Sequence, residues 1–246
     1  MVVHIYGLPV EMDPVLQIAG KHGLQVIEDA AEAIGQTYRG RPCGSFGDLS
    51  VLSFYPNKHV TTGEGGMVLT NDMALAERCR SLRNLCFQPN KRFEHRELGW
   101  NFRMSNLQAA VGVAQLAGLD SAVKAKRRMG QRYLTNLAGL NGLQLPLRNT
   151  DYAENVYWVF GIVLEDGIQF EAAAAMARLR EKGIGTRPFF WPLHQQPVFL
   201  DGGLFKDERY PVAERLARRG FYLPSGLALT PDQIDQVATA VKEMLA

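Results

Sequence analysis

Cysteine is scarce in this sequence. Cys43, Cys79 and Cys86 are the three in 246 residues, with no Cys-x-x-Cys pair and no histidine at metal-ligand spacing. Neither a disulfide framework nor a metal site is expected, and the usage suits a reduced, cytoplasmic compartment. Excess charge is missing too. The formal net charge is +2, without the concentrated basic patch that a nucleic acid or an anionic membrane as partner leaves behind. Basic residues do cluster in Lys124-Ala125-Lys126-Arg127-Arg128 and at Arg215, Arg218 and Arg219, and their helical spacing marks solvated faces. No apolar run approaches the length that spans a bilayer. The opening Met1-Val2-Val3-His4-Ile5-Tyr6 lacks the basic start and cleavage site of a signal peptide. Internal repeats and low-complexity tracts are also absent.

What is present is an ordinary globular balance, 46% hydrophobic and 21% charged, long enough for one large domain or two modest ones. The first third alternates strands and helices. A strand around Val2–Ile5 precedes a helix for which Asp13 is the expected N-cap and Pro14 the first residue, with Gly23 placed to end it. The apolar run Leu24–Ile27 then stops at Glu28-Asp29, which predicts a βαβ unit and a largely parallel sheet. Further strands are expected at Leu49–Phe54 and Gly66–Thr70, and a helix from near Asp72 through Leu82. Arg83–Arg103 has little periodicity and reads as a long irregular loop. Ser105-Asn106-Leu107-Gln108 forms a capping box for a long helix whose apolar stripe includes Leu107, Ala110, Val111, Ala114 and Leu116.

The last hundred residues read as a smaller α+β domain. Strands are expected near Leu143–Leu147 and Val156–Leu164, and a helix over Phe170–Lys182. A Pro-punctuated extended stretch covers Thr186–Pro197. A final helix opens on the capping box Thr230-Pro231-Asp232-Gln233, with Ile234, Val237, Val241 and Leu245 on one face. The expected organisation is a large α/β domain over residues 1–118, a connecting helix over 119–140 and a small domain over 141–246.

Two residues stand where chemistry could gather. Asp29 ends a predicted buried strand, the edge at which open α/β sheets collect ligands; it could equally cap a following helix. Lys58 follows the strand ending Leu52-Ser53-Phe54 and leads into Gly63-Glu64-Gly65-Gly66, glycines that allow close approach to a ligand. A lone loop lysine is also an ordinary surface charge, and Ser53 an ordinary strand hydroxyl.

Longer segments carry a specific resemblance. Val26-Ile27-Glu28-Asp29-Ala30-Ala31-Glu32-Ala33, Gly44-Ser45-Phe46-Gly47-Asp48, Ser53-Phe54-Tyr55-Pro56-Asn57-Lys58 and Thr62-Gly63-Glu64-Gly65-Gly66-Met67 match in order, spacing and residue type. So do Gly99–Met104, Arg187–His194 and Leu223-Pro224-Ser225-Gly226. Together they resemble the DegT/DnrJ/EryC1/StrS sugar aminotransferases over essentially the whole chain. The resemblance implies the type I (aspartate aminotransferase-like) fold of enzymes dependent on pyridoxal 5'-phosphate (PLP). It implies transfer of an amino group, from a donor such as glutamate, to a nucleotide-linked 4-keto-6-deoxy sugar.

The resemblance also implies site roles. Lys58 is the lysine that forms a Schiff base with PLP and moves the proton. Asp29 faces the pyridine nitrogen and keeps it protonated, Ser53 donates to the phosphate, and Glu32 lies beside the ring. Asn101 contacts the phosphate from a neighbouring subunit, which implies a homodimer with a shared active site. Arg187 and His194 approach the sugar-nucleotide end. Tyr6-Gly7-Leu8-Pro9 and the two C-terminal stretches are most similar to members acting on a GDP-linked 4-keto-6-deoxymannose.

One departure accompanies the match. Family members carry, before the point matching Met1, a Gly-Thr turn at a helix N-terminus that cradles the phosphate, and an aromatic ring over the cofactor. The expectation is therefore a large domain lacking its N-terminal part. That allows a second reading, a catalytically inactive remnant that at most dimerises with a full-length relative.

Overall fold

In a computed structural model of the chain, residues 1–88 and 90–245 are described. It divides into two units: Met1–Lys124 with Asn149–Trp158, and Ala125–Arg148 with Val159–Ala246.

The first unit is built on a four-stranded sheet. Strand β1 (Val2–Val3) leads into helix α1 (Met12–His22), and β2 (Ile27–Asp29) follows. A short hairpin, β3 (Thr37–Tyr38) and β4 (Arg41–Pro42), separates it from β5 (Leu49–Ser53) and β6 (Gly66–Leu69). The order is β1-β2-β5-β6. Strands β1, β2 and β5 run parallel, with Val3 opposite Asp29 and Asp29 opposite Val51, while β6 closes the edge antiparallel. The βαβ expectation holds for β1-α1-β2, and the expected parallel pairing extends to β5, which follows without an intervening helix. Parallel register brings the C-terminal ends of β1, β2 and β5 to one edge, so the loops after Val3, Asp29 and Ser53 share that edge.

Helix boundaries follow their local chemistry with small shifts. Helix α1 starts two residues earlier than its Asp-Pro signal predicts, with Glu11 rather than Asp13 at the N-cap position. Met12 is fully buried, and anchoring it favours the earlier start. Asp13 sits instead in the first turn, where a carboxylate favours the helix dipole, and pairs with Arg39 at 3.1 Å. Gly23 ends α1 in the left-handed conformation, φ 63°. The following strand begins at Ile27 rather than Leu24. Asp72 caps α2 (Met73–Arg83) by accepting from the Ala74 and Leu75 amides.

The Ser105–Gln108 capping box is formed at the start of α3 (Asn106–Ala117), and α4 (Leu119–Leu137) resumes after Gly118. The apolar stripe of α3 is not core in this chain: Leu107, Val111 and Leu116 are exposed, as are Met67 and Val68 on β6.

Helix α4 passes from the first unit into the second. There β7 (Leu143–Gln144), β8 (Phe160–Leu164), α5 (Ala172–Glu181) and β9 (Arg187–Pro188) follow. A 3-10 turn at Leu193–Gln195, α6 (Pro197–Asp201), α7 (Pro211–Arg219), β10 (Gly220–Leu223) and α8 (Pro231–Leu245) complete it. The antiparallel sheet has the order β7-β8-β10-β9. Phe160, Ile162, Leu164, Phe221 and Leu223 of the sheet, Leu179 of α5 and Ile234, Val237 and Val241 of α8 are all buried. A core leucine in such a setting contributes about 2–5 kcal/mol against alanine.

Two expectations are corrected here. The strand foreseen at Val156–Leu164 begins only at Phe160. Val156–Trp158 belong to the first unit, where the Val156 amide donates to the Gly7 carbonyl at 3.1 Å. The basic run of α4 is not wholly a solvated face either. Lys126 is buried, its amine donating to the Ser225 carbonyl, and burial brings its pKa down to about 8. Among the described residues no helix is long and apolar enough to cross a membrane.

Candidate active site

The site is assembled from the bottom of the sheet edge upward. Beneath it lies Glu28, fully buried on β2. One of its oxygens accepts from His4 Nε2 at 2.8 Å and from the Gly44 amide. The other accepts from the amides of Phe46 (2.8 Å) and Gly47 (3.1 Å) and from the Ser50 hydroxyl (3.2 Å). Since His4 Nδ1 accepts from the Val10 amide at 3.0 Å, the ring's single proton is on Nε2 and the ring is neutral. Burial alone would raise the Glu28 pKa. The bonds from His4 and the three amides overcome it and hold the carboxyl at about 2. This carboxylate ties β1, β2, β5 and the Gly44–Asp48 loop together under the strand ends.

Asp29, next along β2, turns to the other side. Its Oδ1 accepts the Ala31 amide at 3.0 Å, and no helix follows within the loop, so the capping alternative is not realised. Three residues on, Glu32 is locked from one side: its Oε2 accepts the Tyr6 amide at 2.9 Å. Its Oε1 faces the Lys58 amine at 3.9 Å, and both side chains are about 10% exposed. Lys58 is no free surface charge. Its Nζ stands 4.0 Å from the centre of the Trp158 ring. That ring stacks on Tyr6, centroids 6.0 Å apart, and its Nε1 donates to the Asn57 carbonyl at 3.1 Å. Asp29, Glu32 and Lys58 act on one another electrostatically.

The environment moves both ends of the ion pair toward neutrality. Burial lowers the Lys58 pKa, against the opposing pull of Glu32 and Asp29. Burial raises the Glu32 carboxyl to about 7, with Asp29 adding to it and the Tyr6 amide and Lys58 opposing. A sheltered amine of reduced basicity is the form of lysine that attacks carbonyl carbon.

Ser53 ends β5 at the same edge, its Oγ accepting the Tyr55 amide at 3.3 Å. Asn101 is not gathered here. It is exposed, bridges Asn84, and its Oδ1 accepts from Arg103 Nε at 3.0 Å. Arg187 and His194 belong to the second unit. Arg187 lies exposed on β9. His194 is buried, with Nε2 3.0 Å from Glu214 Oε1 and its ring edge-on to Tyr210 at 4.8 Å. That bond is the leading cause holding the Glu214 carboxyl below its ordinary range. A cleft of the first unit, about 1060 Å³, runs along β5, β6 and α2 beneath Trp100 and Phe102. Lys58, Asp29 and Glu32 do not border it. The chemistry, not this cleft, marks the site.

Tyr6, Trp158, His4 and Glu28 were not foreseen as parts of the site. Positions 6 and 158 are joined only through the fold. Gly7 makes that junction possible: at φ 109° a Cβ there would come within 2.6 Å of the Tyr157 nitrogen and 2.7 Å of Asn155 Oδ1.

A family model for the DegT/DnrJ/EryC1/StrS aminotransferases matches residues 1–242. The chain belongs to that family. It is 40% identical over 245 residues to a GDP-perosamine synthase of Caulobacter vibrioides, covering 100% of this chain and 65% of the relative. It is 37% identical to a GDP-perosamine synthase of Vibrio cholerae, covering 98% of this chain and 65% of the relative. The chain thus spans about 65% of the length of these curated relatives.

Among solved structures, Streptomyces venezuelae DesV in complex with a ketimine intermediate superposes with a TM-score of 0.86 at 37% identity, over 98% of this chain and 63% of that one. Helicobacter pylori PseC, an aminotransferase, superposes at 0.92 with 24% identity over 99% and 65%, a likeness of fold. The chain shares the fold of these sugar aminotransferases.

Proposed function

We propose that this chain is a PLP-dependent aminotransferase that places an amino group on a nucleotide-linked 4-keto-6-deoxy sugar, with glutamate as donor. The observation that carries the reading is the enclosed Lys58 amine, of lowered basicity, at the same strand edge as Asp29. The donor set fits the cofactor: an amine for its aldehyde, a carboxylate for its ring nitrogen and a hydroxyl for its phosphate. PLP, when bound, supplies an electron-withdrawing ring that lets a proton leave the carbon bearing the amino group.

This chain's residues do the rest. Lys58 binds the aldehyde and later carries the proton at Nζ. Asp29 keeps the ring nitrogen protonated by placing negative charge beside it. Ser53 donates to the phosphate, and Glu32 and Trp158 wall the amine and exclude water. Asn101 reaches the phosphate of a second copy, which makes the active form a homodimer. Arg187 and His194 meet the sugar nucleotide. GDP-linked 4-keto-6-deoxymannose is the favoured acceptor, because the compared relatives are named as GDP-perosamine synthases.

Adding PLP to the purified chain and recording its visible absorbance tests the first step. A new band is expected for the native sequence and none for Lys58→Ala; equal spectra for the two refute the assignment. Incubation with labelled glutamate and GDP- or dTDP-linked keto sugars, read by mass spectrometry, tests nucleotide, sugar and aminated carbon.

A further inference from the structure

The Glu32–Lys58 pair is built more specifically than cofactor contact requires. One carboxylate oxygen of Glu32 is fixed by the Tyr6 amide at 2.9 Å, which leaves the other directed at Lys58 Nζ. The amine is bounded on another side by the face of Trp158 at 4.0 Å. That indole is in turn held by Tyr6 and the Asn57 carbonyl. Both charged side chains are nearly withdrawn from solvent. A buried salt bridge gives up hydration on both partners and is a poor stabiliser, so such an arrangement needs another reason.

We propose that Glu32 is the proton acceptor that frees the Lys58 amine to attack an aldehyde carbon. In the resting pair the amine is an ammonium and Glu32 a carboxylate. The ammonium passes one proton to Glu32 Oε1, across a 3.9 Å gap that rotation of the lysine stem or one water closes. The nitrogen lone pair then bonds to the aldehyde carbon. The nitrogen's two remaining protons leave with the aldehyde oxygen as water, and Glu32 ends protonated; charge and atoms balance. The charged groups acting on Glu32 are Lys58 and Asp29. Asp29 is kept from the acceptor role by distance, since Glu32 is the carboxylate within ion-pairing reach of Nζ. The electrostatics agree: burial raises Glu32 to about 7 and lowers Lys58, which narrows the gap in proton affinity that the transfer must cross.

The inference rests on the proposed function only in taking Lys58 as the aldehyde-capturing amine, and its test can proceed without the cofactor. The full chain is treated with 2-hydroxybenzaldehyde and cyanoborohydride across pH values on both sides of 7. The modified Lys58 peptide is quantified by mass spectrometry and normalised to Nα-acetyllysine. The native profile is expected to rise through an inflection near the Glu32 value of about 7. In Glu32→Gln the inflection disappears and the rate above it falls about tenfold or more, while Glu32→Asp keeps an inflection. A Gln profile matching the native one overturns the proposal.

A second measurement needs no variant: the Lys58 Cε resonance followed by NMR should titrate in two steps, the lower near neutrality, and a single step also overturns it. PLP itself is the separate arm. A Glu32-dependent profile without a PLP band sinks the proposed function and leaves this inference standing. A PLP band with a Glu32-independent profile does the reverse.

Discussion

Replacing Glu28 by glutamine challenges the foundation under the site, and its effect can be worked out in two ways. Glutamine has the same shape but offers one acceptor oxygen and an amide NH2. Whichever way it is turned, the NH2 faces donors: His4 and the Gly44 amide on one side, or Phe46, Gly47 and the Ser50 hydroxyl on the other. At least two buried donors lose their acceptor, at about 1–3 kcal/mol each. The titration gives a second figure. Displacing this carboxyl from an ordinary 4.5 to about 2 corresponds to a stabilisation on the order of 3 kcal/mol.

The sign is that of a depressed acid. The stabilisation is complete above the unfolded value of 4.5 and is lost as pH falls through the folded value of about 2. Urea unfolding at neutral pH should therefore place Glu28→Gln about 3 kcal/mol below the native chain. The gap should narrow steadily as the buffer is acidified below the 4.5 mark. A neutral-pH difference under about 0.5 kcal/mol, the size of an ordinary surface change, refutes the reasoning. So does a gap that stays constant into strong acid.

Two further substitutions test separate parts of the scaffold. Gly7→Ala meets a positive φ and a backbone contact at 2.6 Å; it should destabilise the chain by about 1–3 kcal/mol and shift tryptophan emission to the red as Trp158 loosens. An unaltered spectrum would show that the Gly7 approach does not set the indole. Arg132→Ala removes a bidentate contact to Asp235, Nε at 2.6 Å, but both side chains are 42% exposed. Its thermal midpoint should stay close to that of the native chain, and a drop as large as that of Glu28→Gln would mean that solvent screens this pair less than its exposure implies.

How far sequence foretells this site depends on the distance over which each feature is decided. The Gly23 terminus, the Asp72 cap and the Ser105–Gln108 box are settled within four residues, where side chain and backbone compete directly, and all three are formed. The α1 start departs from the local Asp-Pro signal because burial of Met12 outweighs it. Strand β8 is four residues shorter than its pattern implies, because Val156–Val159 is as apolar as a strand. The Val156 amide is committed to the Gly7 carbonyl, nearly 150 positions away, and periodicity carries no trace of that pairing. The exposed stripe of α3 shows the converse: an amphipathic pattern states which face seeks cover, not what covers it.

The site divides along the same line. Asp29 and Lys58 could be placed at strand ends from local pattern, but a strand-end aspartate and a loop lysine each have an innocent reading. What separates a working amine from a surface charge is the enclosure: Trp158 over Nζ, Glu32 beside it, and the Tyr6 amide holding Glu32. Those four residues come from three loops and a distant segment, and their titration behaviour exists only once water has been removed from among them. A carboxyl at about 7 facing a weakened ammonium is thus a property of the fold rather than of any short motif. It follows that substitutions outside the pair, at Gly7 or Glu28, should move the titration of Lys58 by admitting water.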